Sequence, residues 1–415
     1  MSINVSPISR SERIELIDAL RGLAIFGILM VNMPLMYEPI TQMLVGASQD
    51  IPLHQIVSES FIKFFFEGKF YVIFSIMFGV GFWIFLNKVT PNGSSIVPLF
   101  RRRLFFLLLF GIAHVLFLWA GDILIFYALF GFILILFKNA SDKKITRWAI
   151  AFALIPTILT GLMVAMFTVF SQIPEAQSAI EASMEESMTE IKNFLEKASS
   201  VYAEGSFSEM ISIRIDEYVN LLPGIIFFYP LIFGMFLFGF LFARKRLITD
   251  YVNNLSFFRK VFWWGVGVGI VANTLYTIAF RHTVMSIPDG WMFLFTAMHT
   301  FGGVAFGLSY ISAMVIIFAK YNKNIFQRLL APVGRMSLTN YLLHSIITAF
   351  LFHSYGLGLF GKVEVWQGIV LTVIIFSAQI VFSRWWLNKF RFGPFEWLWR
   401  CLTYGKIQPL RYEDK

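Results

Sequence analysis

The sequence predicts an all-α, polytopic transmembrane helical bundle with about ten transmembrane helices in a single domain spanning residues 1–415. Three observations carry that reading. Hydrophobic residues make up 57% of the 415 positions and charged ones 14%, against about 45–50% and about 25% in soluble domains. The apolar residues gather in runs of about 17 to 25, the length an α-helix needs to cross about 30 Å of hydrocarbon at about 1.5 Å per residue. Those runs are continuous and lack the period-two alternation of a membrane β-barrel.

The first span, 18–36, opens on LIDALRG. No small-residue cleavage site follows it and Asp18 and Arg21 stand at its start, so it reads as a permanent helix rather than a signal peptide. Asp18 and Arg21 are one turn apart, and Asn32 lies eleven residues, or about three turns, beyond Arg21, which makes one polar stripe. Ionisable groups at membrane depth are expensive, so the stripe is a site candidate; the bland alternative is a structural ion pair and helix–helix glue. A loop with Pro39 and Pro52 leads to the second span, 68–87, where Lys69 is a binding candidate expected to snorkel at the external end.

The third span, 103–120, follows Arg101, Arg102 and Arg103, a cluster that either anchors topology or holds the phosphates of a cytoplasmic donor. His114 stands eight residues, about 12 Å along a helix, before Asp122, which marks the turn into a short fourth span, 123–138. A neutral histidine there suits a general base oriented by the carboxylate, and Gly111 and Gly121 on its face allow close approach. The competing reading is a hydrogen-bonded core histidine.

The fifth span, 147–170, precedes an acidic, helix-forming insertion at 172–220. Ile180, Met184, Met188, Ile191 and Leu195 recur there at intervals of three or four, predicting an external amphipathic helix or helix pair that serves as connector or lid. Spans 221–243, 257–280 and 291–319 follow, the last with His299 as a weaker candidate. Span 336–354 aligns Ser337, Asn340, His344 and Thr348 in a polar stripe that suits packing or a binding pocket, and 366–387 is the tenth span. The aromatic stretch after it, with Arg400 and Lys406, predicts a cytoplasmic interfacial helix within 388–415.

With the N-terminus inside, all but seven of the 34 Lys and Arg residues fall in cytoplasmic segments and helix ends, while most of the 25 acidic residues fall outside. This follows the positive-inside rule and predicts cytoplasmic termini in an inner-membrane-type protein. The net charge of +9 is then a topology signal, with the lipid bilayer and not nucleic acid as partner, and a homo-oligomer stays open. The single cysteine, Cys401, excludes an internal disulfide and a Cys-rich metal site, and no metal is expected. Phosphate-loop, HExxH and GxSxG motifs are missing, which disfavours primary pumping and metalloprotease chemistry.

The segments RIELIDALRGLAIFGILMVN, EGKFYVIFSIMFGVGF, RRRLFFLLLFGIAHVLFLWAGDILIFYALFG, GRMSLTNYLL and GPFEWLWRCLTYG together resemble the YeiB-like family of bacterial membrane proteins, over nearly the whole chain and in the same order. That family is similar to the transmembrane acyltransferase clan, which includes sugar O-acetyltransferases and heparan-α-glucosaminide N-acetyltransferase. The resemblance implies transfer of an acyl group from cytoplasmic acyl-CoA to an external hydroxyl or amine on a small molecule or glycan. The chain departs from the clan in its histidines: Asn32 stands where the O-acetyltransferase type has one, and Met43 where the heparan type does. Catalysis would therefore move to His114 or the loop residue His54, with Asn32 holding the acyl carbonyl. Transport of a small solute and non-catalytic binding are the alternatives.

Overall fold

The computed structural model describes residues 14–47, 50–87, 95–285, 287–321 and 324–412; the N-terminal Arg10 and Arg13 of the charge pattern lie outside them. Among these residues fifteen α-helices follow in chain order: α1 Glu15–Asn32, α2 Pro34–Tyr37, α3 Leu53–Phe65, α4 Phe70–Leu86, α5 Val97–Phe117, α6 Leu124–Leu134, α7 Asp142–Phe170 and α8 Pro174–Glu204. Then come α9 Phe207–Arg244, α10 Leu255–His282, α11 Gly290–Lys320, α12 Ile325–Arg335, α13 Ser337–Phe352, α14 Val365–Lys389 and α15 Pro394–Tyr404. Among the described residues extended pairing is limited to one antiparallel bridge between Phe390 and Arg411.

Each of the ten predicted spans falls on a helix: α1, α4, α5, α6, α7, α9, α10, α11, α13 and α14. Among the described residues six segments are long and apolar enough to cross a membrane, namely Leu53–Leu86 and the helices α7, α9, α10, α11 and α14. The remaining four are shorter, as α6 and α13 are, or carry charge, as α1 does with Glu15, Asp18 and Arg21 and α5 with its three arginines. The protein is thus a multi-pass membrane protein built as an all-α bundle.

Between membrane helices the solvent drives no association, so close approach of backbones replaces hydrophobic burial as the packing device. Glycine provides it at several crossings, two of which show it most closely. A Cβ on Gly79 of α4 would stand 2.1 Å from the Phe236 carbonyl oxygen, and one on Gly239 of α9 would stand 2.0 Å from that of Ile76. At the other crossing, a Cβ on Gly334 of α12 would stand 1.8 Å from the Asp18 carbonyl oxygen of α1.

The insertion is the expected helix pair, α8 and the first turns of α9, joined at Ser206. A capping box closes the joint: the Ser206 hydroxyl accepts from the Glu209 N–H, and Glu209 Oε2 accepts from the Ser206 N–H at 2.7 Å. The stripe of Ile180, Met184, Met188, Ile191 and Leu195 is half-buried, as its spacing predicted. The end of α8 is fastened to the end of α13. Tyr202 stacks on His353 with ring centroids 5.0 Å apart, its carbonyl accepts from the Ser354 N–H at 3.1 Å, and its hydroxyl donates to Glu217 at 2.7 Å.

At the opposite end, α15 docks onto α5 and α13. Glu396 caps α13 from outside that helix: one carboxylate oxygen accepts from the N–H groups of Leu338 and Thr339 at 2.6 and 3.0 Å. A helix leaves its first N–H groups without intrahelical partners, and a carboxylate there also meets the positive end of the dipole. Trp399 of α15 donates its indole N–H to the Arg103 carbonyl at 2.9 Å. The C-terminal helix is therefore packed against the bundle by specific polar contacts.

Lys69 departs from the expected snorkelling. It is fully buried, and its ammonium donates to the carbonyls of Lys63 and Glu67 at 2.7 and 2.5 Å. The turn from α3 to α4 presents those carbonyls inward, so the cation is solvated by backbone instead of by water.

Candidate functional site

Three elements bring a carboxylate, an imidazole and a hydroxyl into line. α5 carries His114 near its end, the chain turns at 118–123 with Asp122, and α13 runs alongside with Ser345. His114 Nδ1 lies 3.0 Å from Asp122 Oδ2, and His114 Nε2 lies 2.8 Å from Ser345 Oγ. His114, Asp122 and Ser345 are 1%, 2% and 1% exposed. The 3.0 Å approach is an ion-pair contact: neither His114 Nδ1 nor Asp122 Oδ2 makes an aligned hydrogen bond to any described group.

Local structure holds each member. Asp122 Oδ1 accepts from the Ile125 N–H at 2.8 Å, so the same carboxylate caps α6 while its other oxygen faces the histidine. Gly111, one turn before His114, makes room for this: a Cβ there would stand 2.7 Å from the Ile125 nitrogen and 2.9 Å from Asp122 Oδ1. The Tyr341 ring lies against the imidazole with centroids 5.2 Å apart, and Trp119 meets it edge-on at 6.4 Å. Trp119 also donates its indole N–H to the Leu35 carbonyl at 3.1 Å, tying the turn to α2.

The pairing of His114 with Asp122 is the one the sequence predicted; Ser345 was missed. Its signal was present, since it lies four residues after Tyr341 and so shares that residue's face. The stripe singled out in α13 is the neighbouring face, which packs on α14. His344 Nε2 meets Gln379 Oε1 at 2.9 Å, and the Asn340 amide donates to Ser383 Oγ at 3.0 Å. Asn340 and His344 are thereby engaged in helix–helix hydrogen bonds, although Asn340 Oδ1 is buried without a partner.

Asn32 ends α1, half-buried, and its side chain makes no hydrogen bond among the described residues. It lies three residues before Leu35, whose carbonyl holds Trp119, which puts the end of α1 beside the site's turn. His54 is not brought to this site: its Nε2 meets Glu364 Oε2 at 3.0 Å on the exposed link between α3 and α14. His299 neighbours Glu67, which accepts from the Tyr276 hydroxyl at 2.8 Å and pairs with Lys63 at 2.6 Å, apart from the His114 line.

Toward the α15 end, guanidinium groups gather. Of Arg101, Arg102 and Arg103, the first two are exposed and Arg103 is turned inward, 4.0 Å over the Trp399 ring. Arg103 feels the positive charges of Arg400 and Arg21, and Arg400 feels that of Arg21 together with the negative charges of Asp18 and Glu396. Asp18 pairs with Arg21 at 3.6 Å as the sequence predicted, and the Arg21 guanidinium lies against Gly81 of α4. Arg400 stands 4.4 Å over the Phe392 ring. Three separate sequence segments, LRG, RRR and EWLWR, thus contribute one arginine each to a common cationic cluster, of which Arg400 was expected only as a surface anchor.

Similarity to known proteins agrees with this architecture. A model of a protein family of unknown function, DUF418, matches residues 242–406. The chain is 32% identical to the uncharacterized protein YxaH of Bacillus subtilis (strain 168) over 427 residues, covering 99% of both chains. It is 28% identical to the uncharacterized protein YeiB of Escherichia coli (strain K12), covering 96% of this chain and 98% of that one. An uncharacterized 39.9 kDa protein encoded in the amylase 3′ region of Bacillus acidopullulyticus is 27% identical over 98% of each. No solved structure matches. With full-length relatives at this level of identity, the chain belongs to the YeiB-like DUF418 family of bacterial multi-pass membrane proteins.

Proposed function

We propose that this protein is a transmembrane acyltransferase that takes an acyl group from cytoplasmic acyl-CoA and delivers it to a hydroxyl or amine acceptor across the membrane. The observation that carries the reading is that α5 joins a cationic cluster to a supported base. Arg103 and His114 are eleven residues apart on this helix, about 16 Å. Arg21, Arg103 and Arg400 would hold the CoA phosphates, for which planar guanidinium forks are suited. An extended pantetheine arm is long enough to bridge that interval, and it would bring the thioester to the level of His114. There His114, oriented by Asp122, takes the proton of the attacking group.

The orientation belongs to the same proposal. Cytoplasmic termini put the arginine cluster on the side where acyl-CoA resides and the α8 insertion on the acceptor side, and the charge distribution supports that assignment. In a Cys401→Ser background, a cysteine placed at the exposed position of Glu186 on α8 should react with an impermeant maleimide in intact spheroplasts. Protection there with reaction only after lysis would reverse the orientation. For the chemistry, acyl-CoA consumption is measured on the full chain in nanodiscs; equal rates for the wild type and His114→Ala would refute it.

A further inference from the structure

We infer that Ser345 is the nucleophile of a covalent step, accepting the acyl group on its Oγ between donor and acceptor. This deepens the acyltransferase reading and rests on it for the source of the acyl group. The carboxylate, imidazole and hydroxyl stand in the order that activates a serine, with contacts of 3.0 and 2.8 Å. With Asp122 Oδ2 as the acceptor of the pair, the imidazole proton sits on His114 Nδ1, and His114 Nε2 is left as an acceptor. Ser345 Oγ–H then donates to His114, the direction needed to remove its proton.

Ser345 differs from several buried helix hydroxyls in where its hydrogen bond goes, a difference it shares with Ser75, whose Oγ meets the Tyr127 hydroxyl at 2.7 Å. Thr160, Thr348 and Thr372 each donate to the carbonyl four residues back, at 2.9, 2.8 and 2.9 Å, the usual solution for a hydroxyl in an apolar helix. Ser309 does the same at 3.0 Å. Ser345 does not: its hydrogen bond goes to His114 on another helix, 231 residues away in sequence. What distinguishes Ser345 is its partner, an imidazole that itself faces a carboxylate, where Ser75 meets only a phenol.

The step balances without any further reactant. As Ser345 Oγ attacks the thioester carbonyl carbon, its proton passes to His114 Nε2 and the C–S bond breaks. The departing CoA sulfur takes that proton from the imidazolium, leaving an ester on Ser345. An acceptor hydroxyl or amine then gives its proton to Nε2 as it attacks the ester carbon, and Ser345 Oγ recovers the proton as it leaves.

The test uses the full-length protein in nanodiscs, incubated with acetyl-CoA or a long-chain acyl-CoA without acceptor, quenched in acid and mapped by peptide mass spectrometry. The expected result is one acyl adduct on the Ser345 peptide, absent from Ser345→Ala and His114→Asn. In Ser345→Cys, which keeps a nucleophile of similar size, the adduct should be a hydroxylamine-labile thioester. Ser345→Ala, verified as folded by size-exclusion chromatography, should lose turnover by about 10³-fold or more. Turnover by Ser345→Ala at the wild-type rate, or turnover by wild type with no adduct on Ser345, would overturn the covalent step and leave direct acyl transfer standing. Absence of both turnover and adduct in the wild type would overturn the acyl-CoA reading, and this inference with it.

Discussion

Replacing Asp122 in two ways separates its two roles, because one oxygen caps α6 and the other faces His114. In Asp122→Ala both contacts disappear. The Ile125 N–H, now 2.8 Å from nothing, loses its cap, and a lost cap costs about 1 kcal/mol. In Asp122→Asn the amide oxygen can keep the cap, since Asn is as good a cap residue as Asp. The amide nitrogen must then face His114 Nδ1, and because that nitrogen is a donor it forces the proton of the imidazole onto Nε2. Nε2–H cannot accept from Ser345 or any acceptor. Thermal unfolding in nanodiscs should therefore rank wild type and Asp122→Asn together and Asp122→Ala below them by about 2–4 kcal/mol, the lost cap plus the buried His114 Nδ1 left unpaired. Acyl-CoA turnover should rank both variants far below wild type, by about 10⁴-fold for the wrong tautomer. Nitrogen-15 spectra of histidine-labelled protein would report the tautomer directly. Full activity in Asp122→Asn would refute the assignment of His114 as the base, whatever the stability data showed.

The other expectations concern parts at either end of the bundle. Glu396→Ala leaves the buried N–H groups of Leu338 and Thr339 unpaired, at about 1–3 kcal/mol for each group, whereas Glu396→Gln should recover part of the loss; thermal unfolding measures both. Arg400→Gln should raise the KM for acyl-CoA with little change in kcat, and a change confined to kcat would remove Arg400 from the donor site. Gly239→Ala presses a methyl carbon to within 2.0 Å of the Ile76 carbonyl oxygen, so the α4–α9 crossing must open; the yield of monodisperse protein should fall, and wild-type yield would contradict that packing.

Hydropathy carried most of the fold because a membrane helix satisfies its backbone within one segment, so length and apolarity suffice to find it. That logic located a helix at every predicted span, including α1, whose charges depress its hydropathy. It misjudged Lys69, because whether an ammonium reaches water or a pair of backbone carbonyls depends on the turn geometry between α3 and α4. The candidate site was legible where its members are close in sequence: His114 and Asp122 are eight residues apart. Ser345 and Arg400 were not, since each meets the site only through contacts between distant segments. Ser345 was further hidden by lying beside His344, whose face looked the more polar yet packs on α14.

α13 is fixed at both ends and carries the hydroxyl between them. Its first N–H groups are held by Glu396 of the C-terminal helix, and just past its last turn the Ser354 N–H is held by the Tyr202 carbonyl of α8. A rigid rod gripped in this way cannot slide or rotate independently of its clamps. The 2.8 Å contact between Ser345 and His114 is therefore a gauge of both ends at once. Loosening α15 or lifting α8 would be read at the imidazole as a change in alignment, long before the bundle came apart.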